Sequence, residues 1–310
     1  MFQELCFIER DDDGYIKLDS YLYEKYNRIS IKNNPSIEII DNLYIIEINN
    51  QKYYFKTCKK EDAIKEILAD KMLEYIGFDH ANYDLACING EYGVISRNFK
   101  KDEYRYLSGD ELIAQYYYAI DKDADSDNLC YDKYNNMTDI WDMLEVKYEY
   151  HPNKENIVKN IMYGLNEKFI FDIITCQRDG ASYNWMIEEN DMYARLAPIY
   201  DNETMLDGLS YDENKNTNIK VEEFNDERTE YRNLDELRKY LNYSSDYFVE
   251  QFKTAFNSLS PKNIKWLLIT IEFNLNIKID HKIKESILSR YNYNYQMINN
   301  VLNEELAKKR

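Results

Sequence analysis

The most informative part of the sequence is QRDGASYNWMI (177–187), which is followed closely by YARLAPIYDNETML (193–206). Three side chains in these segments, Asp179, Asn184 and Asp201, carry oxygen donors, and short apolar runs that read as strands lie between them. Carboxylate and amide oxygens are ligands that Mg²⁺ accepts in proteins. The two segments therefore predict metal-competent side chains arranged around a strand pair.

The spacing of these residues suits the transfer of a phosphoryl group. That reaction needs a carboxylate beside the attacking hydroxyl group, together with oxygen ligands that hold magnesium against the phosphates. An Asp, an Asn five residues later and a second Asp after a strand pair supply these groups. Taken alone, each motif is an ordinary turn, because Asp and Asn stabilise turns frequently.

The motifs DGASYNW (179–185) and LAPIYD (196–201) resemble the catalytic segment of the HipA-like kinases. That segment runs Asp-Gly, three residues, Asn and an aromatic residue, and then a hairpin that ends in Leu-x-Pro-x-Tyr-Asp. The resemblance implies a protein kinase that uses ATP and Mg²⁺ and has an α+β, two-lobed, protein-kinase-like fold. It makes Asp179 the catalytic base and assigns Asn184 and Asp201 to magnesium.

The residues before Asp179 extend the resemblance. Arg178 resembles the Arg of the His-Arg-Asp triplet of protein kinases, and Gln177 stands in place of its His. The matched blocks run discontinuously from about Tyr53 to Met205 in the order of the family. Each block alone is weak, but their order favours the catalytic interpretation over ordinary turns.

Two blocks lie upstream, YYFK (53–56) and EILADKMLEYIG (66–77). They resemble the strand that ends in the phosphate-contacting Lys and the Glu-starting helix of the family. By this resemblance Lys56 and Glu66 form an ion pair, in which the lysine neutralises nucleotide phosphate and the carboxylate fixes its rotamer. The alternative is that both are solvated surface residues, as most Lys and Glu residues are.

The segment YGVISRNF (92–99) begins as a strand and resembles the hinge that joins the two lobes. By this resemblance, backbone groups near Ser96, Arg97 and Asn98 contact the adenine of ATP.

The N-terminal part reads as an antiparallel sheet followed by a helix. The segment 28–58 is rich in Ile and Tyr and is interrupted by Asn-rich turns, of which NNQK (49–52) is the predicted hairpin. Apolar residues at helical spacing in 61–76 predict an amphipathic helix that Gly77 caps. A further strand is predicted at 83–88.

The remaining sequence changes to long helical runs. The segment 153–175 has apolar residues mostly at helical spacing, and Ser260-Pro261 reads as the N-cap and first residue of another helix. We therefore predict an N-terminal kinase lobe over 1–99 and a mainly helical C-terminal lobe over 100–310. No Pro/Gly/Ser-rich linker separates them, so the lobes are expected to be tightly joined.

Two departures from the family pattern concern the N-terminal region. Residues 1–27 are too few for the extra subdomain that the family often carries, so the sequence predicts its compact branch. The loop NNPSIEIID (33–41) contains no glycine, although close approach of backbone N–H groups to phosphate favours glycine. Either Asn33 and Asn34 take left-handed conformations or the loop contacts ATP differently. Ser36 in this loop is a candidate autophosphorylation site.

The composition limits the partners and the compartment. The 39 basic and 57 acidic residues give a net charge of -18, which disfavours nucleic acid as a partner. No apolar run is long enough for a membrane helix and no signal peptide is recognisable, so a cytoplasmic protein is expected. The five cysteines contain no CxxC pair and read as free thiols.

The run DKDADSDNLCYD (121–132) has acids at several positions of a calcium-binding loop. It lacks the glycine of position 6 and the Glu of position 12, so it reads as an acidic surface loop. The three histidines are far apart and have no zinc-ligand spacing.

The phosphate acceptor follows from the resemblance alone. A Ser or Thr hydroxyl of a protein substrate is expected, with a cognate antitoxin or regulator as a further possible partner. A kinase of the same fold that acts on a small molecule or lipid, and a nucleotide-binding pseudokinase that acts as an interaction module, remain alternatives.

Overall fold

The computed structural model describes residues 10–11, 14–18, 23–29, 37–120, 137–177, 179–180, 182–207, 209–210, 220–221 and 234–308. Several sequence predictions lie outside these residues, namely those on Asn33, Asn34, Ser36, Arg178 and the acidic run 121–132.

The N-terminal part of the chain forms one six-stranded sheet. Its strands are β1 (Ile16–Lys17), β2 (Tyr23–Ile29), β3 (Ile37–Ile48), β4 (Gln51–Thr57), β5 (Tyr83–Ile88) and β6 (Glu91–Arg97). They lie in the order β1-β5-β6-β4-β3-β2, and all neighbours are antiparallel except β1 and β5. The predicted antiparallel sheet is confirmed, and the short parallel edge strand β1 is an addition to it.

Tight turns join two of the strand pairs. Asn49 and Asn50, between β3 and β4, have φ angles of 52° and 61°, and Asn89 and Gly90, between β5 and β6, have 50° and 80°. Positive φ at both central residues is the requirement of a type I′ hairpin turn, and Asn and Gly adopt it more readily than other residues. The predicted turn in 49–52 is therefore confirmed at its first two residues.

Helix α1 (Lys60–Ile76) follows the sheet and ends where it was predicted to end. Gly77 has φ 76°, and the next N–H, of Phe78, donates to the carbonyl oxygen of Leu73 at 3.0 Å. This left-handed end satisfies carbonyl groups of the last turn. The apolar face of the helix is buried through Ile64, Ile67, Leu68, Met72 and their neighbours.

The rest of the chain is mainly helical, as predicted. The helices are α2 (Gly109–Ile120), α3 (Met137–Lys147), α4 (Lys154–Thr175), α5 (Leu234–Tyr243), α6 (Asp246–Ser258), α7 (Pro261–Leu275) and α8 (His281–Lys308). Pro261 is the first residue of α7, and Ser260 adopts the extended N-cap conformation without a side-chain hydrogen bond. The N–H groups of the first helical turn have no partner within the helix. Pro has no N–H, so this position suits it.

A second, three-stranded sheet positions the catalytic candidates. Its strands are β7 (Arg105–Ser108), β8 (Met186–Glu189) and β9 (Ala194–Leu196), and β8 lies in the middle. The hairpin β8–β9 was expected from the sequence, whereas its pairing with β7 was not. Two short strands, β10 (Leu209–Ser210) and β11 (Lys220–Val221), form a separate pair.

The largest apolar cluster extends from α1 into the C-terminal helices. It contains Leu68 and Met72 of α1, Phe171 of α4, Phe252 of α6 and Ile298 of α8, among others. Helix α1 is thus packed between its own sheet and the helical part of the chain. The division at residue 99 stays a prediction from the sequence. In the described part of the chain, no helix is long and apolar enough to cross a membrane.

Candidate active site

Lys56 lies near the end of β4, between two carboxylates that follow β9. In the sheet it pairs with Leu43 on one side and Val94 on the other. Its Nζ atom is 2.7 Å from Oδ1 of Asp201 and 2.8 Å from Oε1 of Glu203. Burial alone would lower the pKa of Lys56, but the two carboxylates raise it above its ordinary value. The lysine is therefore charged and held in place.

Glu66 does not form the predicted ion pair with Lys56. Both oxygens of its carboxylate accept the backbone N–H of Asn202, at 3.1 and 2.8 Å. Burial and the neighbouring charge of Asp201 raise the pKa of Glu66 to about 8, against the opposing effects of Asn202 and Lys56. Glu66 nevertheless contacts the loop that contains Asp201. Its carboxylate holds the backbone of this loop, and the loop supplies the partners of the lysine.

Asp201 has a left-handed backbone conformation, with φ 60°. Its N–H donates to the hydroxyl oxygen of Tyr83 at 3.1 Å, and its carbonyl oxygen accepts a hydrogen bond from Nε2 of Gln177 at 3.2 Å. A non-glycine residue in this region needs support from its surroundings, and such residues occur often at functional sites. Hydrogen bonds on both sides of the residue provide that support here.

Asp179 and Asn184 are joined directly. A short 3₁₀ helix (Ser182–Asn184) brings Nδ2 of Asn184 to 3.1 Å from the carbonyl oxygen of Asp179. Because this bond uses the nitrogen of the amide, the oxygen Oδ1 is left as the acceptor for a ligand. The carboxylate of Asp179 accepts hydrogen bonds from the Tyr183 hydroxyl, at 3.1 Å to each oxygen.

Thr204 connects this pair to the Asp201 loop. The N–H of Asp179 donates to Oγ1 of Thr204 at 3.2 Å, and Thr204 lies in the turn that Asp201 begins. The bond to Thr204 therefore connects Asp179 and Asn184 to the same loop whose Asp201 contacts Lys56.

The predicted adenine contacts are only partly open to a nucleotide. The N–H of Asn98 donates to the carbonyl oxygen of Lys52 at 3.0 Å, so it is not available to adenine. The β4–β6 ladder thus continues one residue past β6. This bond occupies the N–H alone, so the predicted contact between the Asn98 backbone and adenine stays a prediction for its carbonyl group. Ser96 pairs with strands on both sides, and the Arg97 guanidinium donates to Gln51 at 2.7 Å. Their contact with adenine stays a prediction.

Two buried acceptors beside Asp201 are unpaired. Oε1 of Gln177 and Oδ1 of Asn202 have no hydrogen-bond partner within the described part of the chain, and both residues are buried. Unsatisfied buried polar atoms are costly and occur at sites that bind something further.

The oxygen donors of Asp201 and Asn184 are of the type that would hold a divalent metal ion together with a nucleotide. Among the residues that the structure describes, no three His, Cys, Asp or Glu side chains are arranged to hold a metal ion. Mg²⁺ commonly takes one or two protein carboxylates and completes its shell with phosphate oxygens and water. Asp201 and Asn184, beside a lysine that neutralises negative charge, supply such a partial set.

A network of charges holds the far end of the same loop. The carboxylate of Asp207 is 2.7 Å from Nζ of Lys65 on α1 and 3.3 Å from Nη1 of Arg290 on α8. Arg290 also pairs with Glu61 of α1 and donates to the carbonyl oxygen of Leu206. The loop 201–207 is thus fixed to both α1 and α8.

The sequence analysis missed four residues of this site: Tyr83, Tyr183, Glu203 and Thr204. Glu203 and Thr204 follow the predicted Asp201 within three positions. Their closeness to Asp201 in the sequence is the one signal that could have indicated them. Tyr83 belongs to a different strand, and its contact depends on how the chain folds.

Comparisons with known proteins bear on the fold. No protein-family model and no curated protein matches the sequence. The proinflammatory kinase CtkA of Helicobacter pylori has a similar structure, with a TM-score of 0.61 and 14% identity over 93% of this chain and 96% of that one. The chain has a HipA-like kinase fold. HipA of Shewanella oneidensis MR-1, in a toxin–antitoxin complex with HipB and operator DNA, gives a TM-score of 0.52 and 10% identity over 90% of this chain and 69% of that one. The predicted two-lobed, kinase-like α+β fold is therefore confirmed.

Proposed function

We propose that this protein is a kinase that uses ATP and Mg²⁺ to phosphorylate Ser or Thr hydroxyl groups of protein substrates, including its own. The observation that carries the proposal is the 2.7 Å contact between Lys56 and Asp201, which lie 145 positions apart in the sequence. A phosphate-binding lysine beside a metal-binding carboxylate is the arrangement that phosphoryl transfer requires.

Each candidate residue has a role that its contacts support. Asn184 and Asp201 would hold Mg²⁺, and Lys56 would contact the phosphates of ATP. When bound, Mg²⁺ offsets the negative charge on the phosphates during transfer. Glu66 keeps the Asp201 loop in place through the N–H of Asn202.

Asp179 is the proposed base. It accepts the hydrogen bond of the attacking hydroxyl and takes its proton as the hydroxyl oxygen bonds to the γ-phosphorus. The bond between the γ-phosphorus and the bridging oxygen breaks, and ADP leaves. The bond from Asn184 to the Asp179 backbone fixes the distance between this base and the metal ligands.

The neighbours support the class of reaction and a protein regulator. CtkA is described as a kinase, and HipA is described in complex with HipB. The protein substrate in the proposal rests on the resemblance of the sequence motifs alone.

The test is transfer of label from γ-labelled ATP in the presence of Mg²⁺, to the protein itself and to a generic protein acceptor. Asp179→Asn and Asp201→Asn are each expected to lower the rate about a hundredfold or more. Asp191→Asn is the matched control, because the Asp191 side chain is 99% exposed and lies outside the site. Phosphoamino-acid analysis is expected to give phosphoserine or phosphothreonine. Equal labelling of the wild type and Asp179→Asn would refute the mechanism.

A second candidate is a nucleotide-binding pseudokinase. It is favoured by the two carboxylates that already engage Lys56 and by the Tyr183 hydroxyl that engages Asp179. Saturable binding of Mg·ATP without transfer to any acceptor would identify this second function.

A further inference from the structure

Glu203 contacts the same ammonium group as Asp201, from the same turn of the chain. Its Oε1 atom is 2.8 Å from Nζ of Lys56, and both side chains are largely buried, with 26% and 24% of their surface exposed. The turn is fixed on either side of it, because Met205 N–H donates to Asn202 O and Leu206 N–H donates to Thr175 O. The Glu203 carboxylate is therefore directed at Lys56 by an ordered backbone.

Asp201 becomes a weaker partner of Lys56 if it binds metal, as the proposed function requires. A carboxylate oxygen that coordinates Mg²⁺ gives up most of its attraction for a neighbouring ammonium group. The lysine would then lose the closer of its two counter-charges at the moment when it must be held against phosphate.

Glu66 cannot replace Asp201 in this role with its present contacts. Both of its oxygens accept the N–H of Asn202, and the side chain is only 2% exposed. Moving it toward Lys56 would leave that buried N–H without a partner, which costs free energy comparable to a lost hydrogen bond.

We propose that Glu203 is the positioning residue that holds Lys56 for the nucleotide phosphates. The contact that holds the lysine then comes from the Asp201 loop and not from helix α1. This inference rests on the proposed function. In this proposal Asp201 and Glu203 have separate roles. Asp201 binds the metal, and Glu203 holds the lysine.

The arrangement has a consequence for how α1 acts. Glu66 acts on the lysine mainly by holding the backbone of the loop, so its charge matters less than its ability to accept a hydrogen bond. A Gln at position 66 keeps one acceptor oxygen for the Asn202 N–H. A Gln at position 203 removes the anchoring charge altogether.

The test is a double-mutant cycle on the binding of a non-hydrolysable ATP analogue with Mg²⁺, measured by titration calorimetry on the full chain. Glu203→Gln and Lys56→Met are each expected to weaken binding about five- to tenfold. In the Lys56→Met background, Glu203→Gln should have no further effect, because its partner is gone. Glu66→Gln should weaken binding less than Glu203→Gln does.

Two further variants separate anchoring from folding. Glu203→Asp keeps the charge on a shorter side chain and is expected to retain more affinity than Glu203→Gln, with the same melting temperature. Glu272→Gln removes the carboxylate of a comparable pair, 2.8 Å from Nζ of Lys284, and should leave the affinity unchanged. In kinetic assays Glu203→Gln should raise KM for ATP more than it lowers kcat.

The outcomes distinguish this inference from the proposed function. If the wild type does not bind the analogue, the proposed function fails and the inference falls with it. If the wild type binds but Glu203→Gln binds equally well, only the inference fails. An additive cycle would overturn it too, because Glu203 would then act on the metal and not through Lys56.

Discussion

The hydroxyl group of Tyr183 donates hydrogen bonds to both carboxylate oxygens of Asp179, each at 3.1 Å. Tyr183 itself is 43% exposed, so the proposed base lies at the rim of the site under a side chain that solvent can reach. A substrate hydroxyl that approaches Asp179 meets oxygens that already accept the tyrosine hydroxyl, so the two hydroxyl groups share the lone pairs of one carboxylate. Tyr183 is therefore a competitor of the substrate in this structure.

Tyr183→Phe is expected to raise kcat/KM for a protein acceptor about two- to fivefold, because one hydrogen bond no longer has to be exchanged. The measurement is the steady-state rate of label transfer at several acceptor concentrations. Tyr200→Phe is the control, since the Tyr200 hydroxyl donates to the backbone oxygen of Tyr183 and not to the Asp179 carboxylate. A fall in activity for Tyr183→Phe would show that the hydroxyl orients Asp179.

His80 should make stability depend on pH. Its Nε2 atom is 3.0 Å from Oδ1 of Asp70, and Nδ1 is 2.7 Å from the carbonyl oxygen of Phe78. Burial alone would lower the pKa of His80, but its close contacts with the Asp70 carboxylate and the Phe78 carbonyl oxygen raise it above its usual value. A group with a raised pKa stabilises the fold fully below the unfolded value of about 6.5 and loses this effect as pH rises through the folded value.

The free energy of unfolding is therefore expected to fall more in the wild type than in His80→Asn as pH rises from below about 6.5 through the raised pKa of His80. Urea denaturation at a series of pH values measures this difference. His281→Asn is the control, because the His281 side chain is 81% exposed. Parallel curves for the wild type and His80→Asn would contradict the prediction.

Local sequence signals explain why much of the fold could be predicted. The turn at Asn49, the end of α1 at Gly77 and the start of α7 at Pro261 each depend on the conformational preference of one or two residues. Such preferences act within a few positions, so the sequence contains them. The order of the DGASYNW and LAPIYD motifs is the corresponding signal for the catalytic candidates, whose roles stay predictions.

The partners within the site could not be predicted in the same way. Several acids lie close to Lys56 in space, and which of them meets the ammonium group depends on the path of the loop after β9. That path is set by long-range contacts, such as Tyr83 to Asp201 and Glu66 to Asn202. The same cause explains the missed edge pairings of β1 and β7, because neither strand is next to its partner in the sequence.

Asp207 joins the Asp201 loop to two buried cations on different helices. The exposed fraction of the Lys65 side chain is 1% and that of Arg290 is 8%. Removing one partner of a buried ion pair leaves a charge poorly compensated, which typically costs about 3 kcal/mol or more. Asp62 and Glu61 remain as partners of these cations, so the loss should be smaller than that of an isolated pair.

Asp207→Asn is accordingly expected to lower the free energy of unfolding by about 2 kcal/mol and to reduce label transfer, because the loop that carries Asp201 loses its fixed end. Urea denaturation and the transfer assay measure the two effects. Glu250→Gln is the matched control, since Glu250 pairs with Lys253 on the surface of α6, where such pairs contribute little. If Asp207→Asn were as stable and active as this control, the charge network would not fix the loop, and the backbone bonds of Asp201 and Asn202 alone would hold the site.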